Sequence, residues 1–211
     1  ELSHKSSNPL SLLASTTNDE ANSSLLWHDD LLLVACIDST VSCFCMSDEG
    51  QLDENNLHLL KKLWSSKIGT SLTAMLVLES WCSNGDVFVC GASPSSCQLL
   101  LLSLPDLGGD TKLTSAKIGV VHKHGFTCLK TSPCGTYLAA GSADGRLILL
   151  QVPTESGAEF VALTSMDLHV GPIVCVDFSR DVAALYSSGL DGSVFSLTIP
   201  IQGTSSQLTQ R

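Results

Sequence analysis

Residues 121–152 read VHKHGFTCLKTSPCGTYLAAGSADGRLILLQV, and residues 168–199 read LHVGPIVCVDFSRDVAALYSSGLDGSVFSLTI. The two stretches carry the same punctuation. His122 and His169 lie 47 residues apart, as do Asp144 and Asp191, and in each copy the His precedes the Asp-Gly pair by 22 residues. Between the markers stand short apolar runs (TCLKTS, YLAAGS, RLILLQV; IVCVDFS, AALYSSG, SVFSLTI) bounded by polar turns, which is the pattern of strands. A period of this length made only of strands defines one supersecondary unit used several times.

Outward from this pair, two weaker units precede it. SSLLWHDD, LLLVACID and TVSCFCMS give three strands, and HLLKKLWSSKI (58–68) is ambiguous by periodicity but is placed as the fourth. SLTAMLVLE, DVFVCGA, CQLLLLSL and TKLTSAKIGV (111–120) form the second unit, with Pro94 marking a widened turn at 93–97. Unit starts near 23, 71, 125 and 171 are spaced by 48, 54 and 46 residues. The expected organisation is a polar tail or closing strand (1–22, containing LSLLAS at 10–15), units over 23–70, 71–120, 121–167 and 168–199, and a polar end (200–211). The last unit shows no fourth strand of its own. No segment carries a helical stripe long enough for a βαβ unit, so the fold class is all-β.

Composition fits a folded domain: 44% hydrophobic residues, 15% charged and a mean hydropathy of +0.26. The apolar runs LLLVACI (31–37) and LLLLSL (99–104) are far shorter than the ~20 residues of a membrane span. No signal peptide is expected behind Glu1, and a chain without an initiator Met reads as a piece of a longer polypeptide. The net charge is −10, of which residues 1–60 carry −9, so phosphate backbones are not attracted and nucleic acid is not an expected partner. Nine cysteines without a CxxC do not make a zinc site. Cys36, Cys90, Cys128 and Cys175 sit in apolar runs and read as core thiols of a reducing, intracellular compartment, cytoplasmic or nuclear.

The last two units resemble WD repeats. HVGPIVCVDFSRD (169–181) and TSPCG (131–135) stand where that family places its first strand and following turn, and GSADGRLILL (141–150) and SGLDGSVFSL (188–197) where it places an Asp-Gly turn and third strand. The resemblance is strong over 121–199, weak over 23–120, and implies a β-propeller of about four visible blades. Because propellers of this family close into rings of about seven blades, it also implies that the remaining blades come from the parent chain or a partner. LSLLAS offers an alternative closure, as the missing fourth strand of the last blade. The family's structural hydrogen-bond network maps onto His169, Ser187, Asp191 and Gly192, with Leu197 in the place of Trp. In the third unit it maps onto His122, Asp144 and Gly145, with Ala140 and Leu150 at the other two positions.

Recurrence of His and Asp in each unit argues for a fold device over a catalytic or metal site, and no hydrolase, phosphate-loop or zincin motif is present. Neither an enzyme nor a cofactor or metal is expected. Function then rests on loops at the blade ends. Leu190, His124, Phe126 and Ala143 are the candidate partner-binding residues, Leu190 first because an apolar side chain at a tight turn has little of its own blade to bury it. The expected role is a non-catalytic protein-interaction scaffold in a multiprotein complex. Alternatives are a subunit of a membrane-traffic or tethering complex and an enzyme using the propeller channel. Leu150-Gln151-Val152-Pro153 and Leu197-Thr198-Ile199-Pro200 replace the Trp-Asp-x-Arg docking signature of ubiquitin-ligase receptors, which disfavours that role.

Overall fold

The computed structural model describes residues 14–15, 22–29, 31–46, 58–79, 87–93, 98–104, 114–121, 123–154 and 159–199. Among them the regular structure is all strand, in four sheets. The first holds β2 (Asn22–His28), β3 (Leu31–Cys36), β4 (Thr40–Met46) and β5 (His58–Lys67), with the short β1 (Ala14–Ser15) beside β5. The second holds β6 (Ala74–Val77), β7 (Val87–Ala92), β8 (Gln98–Leu104) and β9 (Thr114–Val121). The third holds β10 (Phe126–Thr131), β11 (Tyr137–Ser142), β12 (Arg146–Gln151) and β13 (Val161–Asp167), and the fourth β14 (Ile173–Phe178), β15 (Ala184–Gly189) and β16 (Val194–Thr198). Apart from β1, each sheet is an antiparallel meander in chain order. The ambiguous segment at 58–68 forms strand β5, while the turn residues 94–97 lie outside the described residues.

The closing role offered to LSLLAS is not what its described residues do. Ala14 and Ser15 pair in parallel with His58 and Leu59, on the outer edge of the first blade rather than on the fourth. Strand β1 thereby covers the start of the outer edge of β5, where an edge strand offers unpaired backbone donors and acceptors.

Sheets stack face to face, and alternation along a strand sends successive side chains into different seams. In β11, Leu138 and Ala140 pack toward the second blade with Leu76, Cys90, Ala92 and Phe126. Ala139 between them packs toward the fourth with Ile173, Val176 and Leu185. Strand β12 does the same with Ile148 and Leu150 on one side and Leu147 and Leu149 on the other, which is why RLILLQ reads as an unbroken apolar run. Strand β16 reads VFSLT because Leu197 is buried against the third blade while Val194 stands in solvent.

The seams share a device. Leu72, Phe126 and Ile173, each just ahead of or at the start of its blade's first strand, are fully buried plugs. The Thr73 hydroxyl donates to the Phe126 carbonyl (3.1 Å), and the Thr127 hydroxyl to the Ile173 carbonyl (2.6 Å). Beside the second contact lies Gly141, where a Cβ would stand 2.8 Å from the Ile173 side chain. On the fourth blade the positions 47 residues after Thr127 and Gly141 are Val174 and Ser188, so the outer face lacks the hydroxyl latch.

Candidate interaction surface at the turns of the fourth blade

The Asp191-Gly192 turn joins β15 to β16 and organises one end of the blade. Asp191 accepts from the Ser193 amide (2.9 Å) and hydroxyl (2.6 Å) through one oxygen and from the Val170 amide (2.8 Å) through the other. Donation to the charged form by the Ser193 hydroxyl first, then by the Ser193 and Val170 amides, holds this carboxyl far below the usual carboxylate range. His169 spans the gap behind it. Its Nδ1 lies 3.1 Å from Asp191 Oδ1 and 2.8 Å from Ser193 Oγ, and its Nε2 lies 2.9 Å from Ser187 Oγ. Phe195 meets the ring edge-on at 4.8 Å between centroids.

Ser187, His169 and Asp191 therefore have the connectivity of a nucleophile triad. Their burial gives them another role: the His169 side chain is fully covered and Ser187 lies inside the sheet, so the hydroxyl meets no substrate. The arrangement is a hydrogen-bonded brace tying the loop before β14 to the middle of β15. The sequence pointed to His169, Ser187, Asp191 and Gly192 (φ +78°), and these meet. It missed Ser193, Phe195 and Gly189, although Asp-Gly-Ser is a recognisable Asx-turn.

Gly189 makes room for the brace. A Cβ there would sit 2.4 Å from His169 Nδ1, so only glycine leaves room for the ring. The equivalent residue of the third blade is Ser142, whose hydroxyl donates to Asp144 (2.5 Å). The imidazole near Asp144 is that of the half-exposed His124, with Nε2 3.8 Å from Oδ2; His122 lies outside the described residues. Gly145 (φ +92°) follows Asp144, and its carbonyl receives the amides of Leu168 and His169.

Of the four candidate partner-binding residues, Leu190 is 72% exposed, His124 is open and Ala143 half-buried. Phe126 is corrected: it is fully buried as the plug between the second and third blades, because the Ser93 carbonyl takes its amide and draws the side chain inward. Val170, 88% exposed, joins Leu190. The Leu190 amide donates to the Pro172 carbonyl (3.0 Å) and the Val170 amide to Asp191, which clamps the two loops side by side with both side chains outward. Val174 and Val194 continue this apolar surface down the outer face. Trp27 is half exposed, Trp64 packs partly buried in the first seam, and Trp81 lies outside the described residues. Among the cysteines of the apolar runs, Cys36 and Cys90 are buried and Cys128 partly so, whereas Cys175 is exposed on the outer face.

Four stacked antiparallel meanders joined by such seams define a β-propeller, as a comparison with solved structures shows. The β-propeller domain of Cps50 (Swd1) from Myceliophteria thermophila superposes with a TM-score of 0.61 at 17% identity, over 90% of this chain and 57% of that one. The computationally designed Ika4 protein superposes with a TM-score of 0.58 at 15% identity, over 89% and 97% of the two chains. One unit also matches by sequence: residues 115–149 fit the family WD domain, G-beta repeat. The chain is 35% identical over 72 residues to the pre-rRNA-processing protein crb3/ipi3 of Schizosaccharomyces pombe, covering 34% of this chain and 15% of that protein. It is 37% identical over 67 residues to the COMPASS component SWD1 of Saccharomyces cerevisiae, covering 32% and 16%.

Proposed function

We propose that this chain is a non-catalytic protein-interaction platform within a multiprotein complex, binding a partner at the turn face of its fourth blade. The observation that carries this is the pair Val170 and Leu190, two apolar side chains held outward in solvent by backbone hydrogen bonds at adjacent loops. Exposed apolar groups fixed on a rigid scaffold are what interface anchors require. The matched relatives, a COMPASS component and a pre-rRNA-processing protein, support membership of a complex and an intracellular, nuclear setting. Further blades, from the parent chain or a partner, complete the ring in this reading.

The test is affinity capture with the chain as wild type, Leu190→Asp and Val170→Asp, with thermal unfolding of each as the fold control. Partners retained by the wild type and lost by both variants at unchanged stability are expected. Partners retained equally by all three would remove this surface from the proposal.

A further inference from the structure

We propose that strand β16 (Val194–Thr198) is a dimerisation edge, to which the same strand of a second copy of this chain adds in antiparallel pairing about Ser196. The observation behind it is an edge without the usual protection. Each of the first three blades covers its third strand with a fourth, β5 on β4, β9 on β8 and β13 on β12. Among the described residues, β16 has β15 on one side and no strand on the other. Natural edge strands are commonly guarded by charge. Those of the first three blades carry it, as Lys61, Lys62 and Lys67 in β5, Lys117 in β9 and Asp167 in β13. Residues 193–199 read SVFSLTI and carry none. In this they match β4 (TVSCFCM) and β8 (QLLLLSL), strands that lie between two neighbours. Strand β16 is an inner strand by composition and an edge by position.

The hydrogen bonds of β16 fix which of its groups are open. The Ile199 amide donates to the Ala183 carbonyl (2.9 Å), and the Gly189 amide donates to the Ser193 carbonyl (3.2 Å). Bonded positions alternate along an antiparallel ladder. Residues 193, 195, 197 and 199 are therefore turned toward β15, in the register that pairs Leu185 with Leu197 and Ser187 with Phe195. The amides and carbonyls of Val194, Ser196 and Thr198 point to the open edge, and these three residues are exposed.

A second copy fits this edge by symmetry. A two-fold axis at Ser196 sets Val194 opposite the partner's Thr198 and Ser196 opposite the partner's Ser196. Each such pair exchanges two hydrogen bonds, which satisfies every open donor and acceptor of the strand. On one face the β-branched Val194 and Thr198 meet across the junction, and on the other Phe195 lies opposite Leu197. A two-fold axis brings any charge beside it against its own copy, so an uncharged strand is what this interface requires. The pairing uses the rim of the blade and leaves its face open to a further blade, so it stands independently of the function proposed above.

Sedimentation velocity of the 211-residue chain under reductant, from low micromolar concentration upward, tests the proposal. A monomer–dimer equilibrium is expected. Ser196→Lys sets two cations together at the axis and should raise the dissociation constant about tenfold or more, with melting unchanged in the dilute, monomeric range. Leu190→Asp, at the turn, should leave the equilibrium as it is. Ser196→Cys reads the register directly. Paired Cα atoms stand ~5.5 Å apart, within disulfide range, so mild oxidation of that variant should give a 196–196 crosslink by mass spectrometry. A chain that stays monomeric throughout overturns the proposal, whether residues 200–211 or nothing covers the edge. So does a dimer that survives Ser196→Lys, that Leu190→Asp abolishes, or that gives no 196–196 crosslink.

Discussion

The carbonyl oxygen of Gly145 accepts the backbone amide of His169 at 3.1 Å, so the Asp-Gly turn of the third blade seats the loop that opens the fourth. The same contact explains why the residue is glycine. A Cβ at 145 would stand 1.9 Å from the His169 carbonyl oxygen, on a backbone already at φ +92°. Gly145→Ala is expected to cost about 3 kcal/mol or more, adding the strain of a positive φ to displacement of the next blade. For a chain of this size that lowers the melting temperature by roughly 10 °C. Gly192→Ala is the comparison, because its φ is +78° but nothing lies within 4 Å of the added carbon. It should lose only about 1 kcal/mol. Equal losses in the two variants, measured by thermal unfolding, would show that blade seating is not what Gly145 provides.

The Thr127 hydroxyl donates both to Gly141 of its own sheet and to Ile173 of the next blade. Thr127→Val keeps the shape and removes the latch. A loss of about 1–3 kcal/mol in urea unfolding is expected, because the Ile173 carbonyl is left without this donor in a buried seam. Val174→Thr, at the equivalent and exposed position of the fourth blade, should change stability by less than about 0.5 kcal/mol. A large effect at 174 would mean that the outer face is already in contact with something.

Asp191 gives stability a pH dependence of predictable sign. Its carboxyl is held far below the usual carboxylate range by the Ser193 and Val170 donors. Because the folded-state value is depressed, the stabilisation is fully present above the unfolded value of about 4 and is lost as the pH falls below it toward the folded value. Asp191→Asn should therefore melt lower than wild type at pH 7, and the gap should narrow progressively below about pH 4. A gap independent of pH from 7 to 2 would show that the charged form is not what the turn binds.

Thiol reactivity should sort the cysteines by environment. The exposed Cys134 thiol is lowered by hydrogen bonds from the Ser132 and Thr136 side chains, while burial pushes Cys90 up to about 12 and Cys43 and Cys128 up to about 11. Only the thiolate reacts with iodoacetamide. Mass spectrometry of the native chain at neutral pH should show Cys134 modified first, with Cys90, Cys43 and Cys128 modified only after unfolding. Early labelling of Cys90 would contradict its place in the second seam.

Strands and turns were legible in the sequence where local chemistry sets them. The Asp-Gly pairs at 144 and 191 fix tight turns by side-chain capping and glycine's freedom, and these act within a few residues. Segment 58–68 was ambiguous because β5 has a solvent-facing outer edge and thus a weak alternation. The brace partners of His169 were legible through the resemblance to WD repeats. That position 189 has room only for glycine was not legible, because the reason is the His169 ring, which the fold sets beside it.

The repeated strand meander is written in the residues themselves, because turn chemistry and the two-residue alternation of side chains are properties of neighbouring residues. Which apolar residues are buried plugs and which stand in solvent depends on how the blades pack. Phe126 and Leu190 are both apolar residues beside polar turns, yet one is sealed between two blades and the other is in water. The difference lies in where each backbone is held: Ser93 of the second blade binds Phe126 at the seam, whereas Pro172 binds Leu190 within the fourth blade, at its outer turn. Such contacts fix which way a side chain points after the blades have stacked.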